Sequence, residues 1–167
     1  MNKIDMYKKL LLIISMVFLL TSCQKTVRRN IELDIKTGGH LPVLVCTVEK
    51  DTVAFLLDTG SMFNIVNKDY YISNEKSFTS DGEKHYTVIT VNGKEKRFAH
   101  KVSFTFNDSI KVKADVMNIN SITDKMSNEN NLKVVGLLGI NFFNEKEAVI
   151  DFYNNKFNFV EYVYVKD

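Results

Sequence analysis

Asp58 is the residue of this chain best placed to do chemistry. It closes the apolar run Val53-Ala54-Phe55-Leu56-Leu57, opens the turn Thr59-Gly60-Ser61, and precedes a second apolar stretch, Met62-Phe63-Asn64-Ile65-Val66. A carboxylate at the mouth of a buried strand is partly desolvated, so a neighbour must hydrogen-bond it or share its proton. That is the setting of an acid or base. Residues for other chemistries are missing. His40, His85 and His100 are scattered, no His or Cys pair has metal-ligand spacing, and there is no Ser-His or Cys-His signature. Neither a metal nor a cofactor is expected.

The elements that must position Asp58 read as strands. Phe55, Leu56 and Leu57 in succession predict a strand covered on both faces, and Gly60 supplies a turn former. Upstream, Ile31 to Ile35 alternates strictly, Gly38-Gly39 turns, and 42–49 forms a strand whose hairpin at Glu49-Lys50-Asp51-Thr52 leads into Val53. Downstream, 67–74 reads as either a short helix or a loop. Tyr86 to Val91 meets Asn92-Gly93, a strong hairpin signal, and 94–99 leads away. A further hairpin joins 102–106 to 110–117 through Asn107-Asp108-Ser109. Residues 118–131, rich in Asn and Ser, read as a loop. The chain ends in Val134-Val135-Gly136-Leu137-Leu138-Gly139, a short apolar helix candidate at 140–143, and a hairpin over 148–160 that turns at Asn154-Asn155.

At 167 residues, with twelve Phe and seven Tyr against one Pro, the composition fits one domain rich in strands. The formal charge is +2, and removing the leader's Lys3, Lys8, Lys9 and Asp5 leaves the remainder neutral. No basic stripe with interleaved aromatics is present, which argues against nucleic acid as a partner. Lys8 and Lys9 precede an apolar run from Leu10 to Leu20, broken only by Ser15. That run spans about half of a bilayer's hydrocarbon core, the length of a signal-peptide core and too short for an anchor helix.

Leu20-Thr21-Ser22-Cys23 resembles the lipobox of bacterial lipoproteins. The resemblance implies a signal peptide at 1–22, cleavage before Cys23, lipid on its sulfur and acylation of its new amino group. Residues 23–30 would then be the lipidated Cys and a tether, and 31–167 the domain. Gln24 is not the Asp that retains lipoproteins at an inner membrane, so the expected location is the bacterial envelope, at the outer membrane facing the periplasm. With Cys23 lipidated, Cys46 is left alone within a strand pattern, a small buried hydrophobe.

Leu56-Leu57-Asp58-Thr59-Gly60-Ser61 resembles the active-site signature of the aspartic proteases. The block around Gly136, about eighty residues later, resembles the strand that crosses behind that loop, followed by the lobe's helix. Together they resemble a retropepsin-like lobe, which implies an all-β, closed, barrel-like fold with one short helix. Gly136 would be the glycine at the crossing, where a side chain would collide with the loop. The hairpin at Asn92-Gly93 occupies the place of the family's flap, with Asp81-Gly82 as a rival tip. The stretch between the two blocks is longer than in the compact retroviral enzymes.

The chemistry the resemblance implies needs two carboxylates sharing one proton. This chain has one Asp-Thr-Gly: Asp108, Asp115, Asp124 and Asp151 are not followed by Thr-Gly or Ser-Gly, and Asp151 lies in a hairpin as a surface acid. The second acid is therefore expected from Asp58 of another copy in a homodimer. By resemblance, Thr59 would lock to the partner's loop, Gly60 would allow its approach, and Ser61 would donate to the Asp58 carboxylate. The substrate would be a peptide or protein. The alternative is a non-catalytic lipoprotein that binds a peptide or partner on the same fold.

Overall fold

A computed structural model describes residues 25–37, 41–90 and 93–165. Ten strands lie among them: β1 (Lys25–Lys36), β2 (Val43–Val48), β3 (Asp51–Leu57), β4 (Ile65–Asn67), β5 (Thr79–Thr90), β6 (Gly93–Phe106), β7 (Ile110–Met117), β8 (Val134–Leu138), β9 (Val149–Asp151) and β10 (Lys156–Val165). Three helices interrupt them: α1 (Lys68–Ser73), α2 (Asn120–Asn130) and α3 (Ile140–Glu145). Contacts divide the chain into a unit of residues 30–161 and another of 1–29 with 162–167. In the latter, the described residues 25–29 and 162–165 are all strand.

The expected all-β character holds, with two corrections. The strands form one sheet in the order β5-β6-β7-β4-β8-β3-β2-β1-β10-β9. It has two ends and is not a closed barrel. Helices take part in covering its apolar residues: Met126 of α2 packs with Val43, Ala54, Leu56 and Leu137, and Phe142 and Phe143 of α3 join the larger core. The second correction is the count, three α-helices where one was expected. α2 occupies the stretch read as a loop. Few of its residues are apolar, but Thr123 and Met126 are buried on one face, and Asn131 ends it in the left-handed conformation at φ 51°. α1 resolves the ambiguity at 67–74, with the Asn67 side chain accepting from the Asp69 N–H at its start.

Boundaries differ too. β1 begins at Lys25, within the expected tether. β5 begins at Thr79 and carries Asp81-Gly82 as a bulge, where its register against β6 shifts between Ser80 and Gly82 and Gly82 adopts φ 89°. That pair is not a hairpin tip. The expected hairpins are present: Val48 pairs with Asp51, Phe106 with Ile110, and Asp151 with Lys156.

β3, the strand that leads into Asp58, pairs antiparallel with β2 and parallel with β8. Val53, Phe55 and Leu57 enter the larger core cluster, while Ala54 and Leu56 enter the other. The period of two therefore buries both faces, which is why its residues are apolar without alternation. The larger core is aromatic. Phe142 stacks with Phe106 and Phe157 at 6.2 and 5.9 Å and meets Phe159 edge-on at 5.6 Å. Replacing such a side chain by Ala costs about 3–5 kcal/mol, so α3 is pinned firmly, and with it the segment leading into it from β8.

Candidate active site

Asp58 follows directly on β3, half-buried, while Thr59 and Gly60 are exposed. Its N–H donates to the Leu138 carbonyl at 3.0 Å, continuing the parallel β3–β8 ladder one residue beyond the strand. Its carbonyl accepts from the Ser61 N–H at 3.1 Å, which closes Asp58-Thr59-Gly60-Ser61 as a β-turn. The Gly60 N–H donates to Asp58 Oδ1 at 2.9 Å. A backbone donor thus holds one oxygen of the carboxylate, a bond that strengthens when the acceptor is ionised.

The chain beyond the turn is strapped to the entrance of α3. The Ile140 N–H donates to the Ser61 carbonyl at 2.7 Å, and the Asn141 N–H to the Met62 carbonyl at 3.3 Å. Gly139 sits where the two segments touch: a Cβ on it would lie 2.6 Å from the Ser61 oxygen and 2.4 Å from the Phe63 oxygen. Gly136, the glycine expected at this crossing, lies elsewhere. It is in β8 between β3 and β4, where a Cβ would meet the Ile65 oxygen at 2.2 Å and the Phe55 ring at 2.9 Å. The close approach to the Asp58 loop belongs to Gly139, three residues later.

The role expected of Ser61 is also revised. Its hydroxyl donates to the Phe63 carbonyl at 2.9 Å. A hydroxyl has one proton to give, so in this arrangement it does not donate to Asp58, and the Gly60 amide does. Gly93 pairs with Thr90 across the β5–β6 hairpin, as the flap expectation requires of its strands. Asn92 and Cys23 lie outside the described residues. Cys46 is buried in β2, as expected, and burial pushes its thiol up to about 12.

Sequence reading gave Asn64 no role, and set Asp115 aside because it is not followed by Thr-Gly or Ser-Gly. Asn64 is buried, with hydrogen bonds at both ends of its carboxamide. The Asp115 N–H donates to the Asn64 carbonyl at 2.9 Å. Asp115 is itself buried, and its carboxylate lies 3.7 Å from the ammonium of Lys101, directly opposite on β6. A polar residue in an apolar strand pattern is the signal that marks both.

No protein-family model matches the chain, and no curated protein matches it in sequence. Among solved structures it is similar to a retropepsin-like aspartic protease from Rickettsia conorii, at a TM-score of 0.48 and 14% identity over 86% of this chain and 98% of that one. It is also similar to the retroviral protease-like domain of Ddi1 from Leishmania major, at a TM-score of 0.38 and 13% identity over 74% and 93%. These are distant likenesses, and the functional reading rests on the Asp58 loop.

Proposed function

We propose that the chain is an aspartic endopeptidase whose two catalytic carboxylates are Asp58 of two copies. The observation that carries this reading is the placement of Asp58. It emerges from a doubly buried strand into a turn that exposes Thr59 and Gly60, with its carboxylate held by the Gly60 amide and its loop tied to β8 and α3. An exposed turn of this kind suits the approach of a second, identical turn. Two such carboxylates brought together cannot both ionise, so one keeps a proton.

The ionised member takes a proton from water, and the water oxygen bonds to the scissile carbonyl carbon. The protonated member gives its proton to the carbonyl oxygen. Collapse of the resulting gem-diol breaks the C–N bond: the carboxyl that took the water proton gives it to the departing amine nitrogen, one gem-diol hydroxyl gives its proton to the other carboxylate, and the pair again holds one proton. No bond to the enzyme forms. In the same reading, the hairpin ending at Asn92-Gly93 closes over the peptide and excludes water. Lipid on Cys23 holds the chain at the bacterial envelope, at the outer membrane facing the periplasm.

Digestion of a peptide library by the full chain in detergent tests the activity. Cleavage that disappears in Asp58→Asn supports it, and equal cleavage by both forms overturns it. Cys23→Ala should abolish incorporation of labelled fatty acid, and labelling that persists overturns the anchor. A second reading, peptide or partner binding without hydrolysis, draws support from the Ser61 hydroxyl, which is engaged by Phe63 and not by the carboxylate. Specific peptide binding with no cleavage would favour it.

A further inference from the structure

Asn64 ties three parts of the fold together by hydrogen bonds. Its Oδ1 accepts the Gly139 N–H at 2.9 Å, and its Nδ2 donates to the Lys113 carbonyl at 3.0 Å. Its own carbonyl accepts the Asp115 N–H at 2.9 Å. An amide N–H can only donate and a peptide carbonyl can only accept, so these two neighbours fix which way the carboxamide points. The residue is 6% exposed, so losing either partner leaves a buried polar group unsatisfied.

The three partners belong to different machinery. Gly139 leads into α3 and presses on the carbonyls of Ser61 and Phe63. Lys113 and Asp115 lie in β7, which pairs along β6, and β6 pairs along β5 to the hairpin that ends at Gly93. Asn64 itself is six residues from Asp58, at the end of the segment strapped to 139–141.

We propose that Asn64 is a positioning residue: its carboxamide locks the Asp58 loop to the α3 entrance and to β7, so that the loop and the hairpin sheet move as one body. The inference rests on the endopeptidase reading for its kinetic consequence, but not for its structural one. A carboxamide offers a donor and an acceptor on one small plane at any pH. An ionised Asp keeps the acceptor and loses the donor, and Leu, of similar volume, loses both. A protonated Asp regains a donor. The proposal therefore predicts a difference in pH response between Asn64→Asp and Asn64→Leu.

The test compares the full chain in detergent with Asn64→Asp and Asn64→Leu by peptide turnover across pH and by amide hydrogen exchange. Both variants should lose roughly tenfold to a hundredfold in kcat at neutral pH, since small misplacements of reacting groups cost on that order, while KM changes little. The Asn64→Asp deficit should shrink as pH falls and its side chain protonates, and the Asn64→Leu deficit should not. In Asn64→Leu, exchange at 58–63 and at Gly139 should quicken while β2 keeps its protection. Wild-type kcat in a folded Asn64→Leu, or unchanged exchange around the loop, would overturn the proposal. If the wild type cleaves nothing, the endopeptidase reading fails separately, and the exchange comparison alone decides the role of Asn64.

Discussion

The Gly60 N–H points at Asp58 Oδ1 over 2.9 Å, and a Cβ on Gly60 would lie 3.1 Å from that same oxygen. The turn thus uses the smallness of one residue twice, to donate to the carboxylate and to leave room for it. Gly60→Ala must displace the carboxylate by a few tenths of an ångström or reopen the turn. The expected outcome is a fall in kcat of roughly tenfold with a nearly unchanged melting temperature, because Gly60 is exposed. Turnover and thermal melts measured on the same preparation check both halves.

Gly136 predicts the opposite balance. Its missing side chain faces the Ile65 carbonyl and the Phe55 ring between two paired strands, where backbone has little room to yield. Gly136→Ala should cost about 3 kcal/mol of stability by overpacking, seen as a lower denaturant midpoint. An unchanged midpoint would contradict the crowding.

Asp151 gives a pH dependence at the β9–β10 turn. Its carboxylate accepts from the Asn154 side chain at 2.7 Å and from the Asn154 N–H at 3.0 Å, and these bonds hold its pKa below the ordinary 3.8. A group depressed in the folded state stabilises fully above its unfolded pKa and loses that contribution as pH falls through the folded value. Exchange of the Asn154 amide should therefore stay slow through neutral and mildly acidic pH, beyond the intrinsic pH trend, and lose protection below the ordinary carboxylate range. Asp151→Asn should remove the pH step.

Much of this was legible in the sequence, for identifiable reasons. β3 announced itself because both of its faces are buried, which writes an unbroken apolar run, and the hairpins at 107–109 and 154–155 are marked by Asn107, Asp108 and Asn155, residue types that accept the positive φ they adopt. α2 was not legible, because its buried face is made by Thr123 and Met126 among Asn and Ser and its stability comes from packing on β8. Of the two glycines in the β8 block, the sequence reading placed Gly136 against the Asp58 loop, and the structure places Gly139 there. That depends on register, and a shift of three residues moved the contact from Gly136 to Gly139. Asn64 was hidden for a similar reason, since its partners lie 49 and 75 residues away.

The flap assignment predicts a change on binding. The β5–β6 pairing continues out to Thr90 and Gly93, the last described pair of the hairpin, and Asp81-Gly82 is a bulge within β5. Amides at 90–94 should exchange quickly in the free protein and slow when a peptide-like transition-state mimic binds. Slowing confined to 79–83 would contradict the assignment.

The central claim is that one chain supplies one of the two carboxylates, and mixing chains tests it most directly. Wild type and Asp58→Asn, unfolded and refolded together in equal amounts at fixed total concentration, should pair at random, so about a quarter of the dimers hold two Asp58 carboxylates. Activity should fall to about a quarter of the all-wild-type value, and continue to fall as the square of the wild-type fraction. Activity that falls to half, in direct proportion to the wild-type chain, would mean that each chain carries a complete site. The second acid would then lie within the chain, with Asp115, buried and joined through its backbone to Asn64, the first residue to replace.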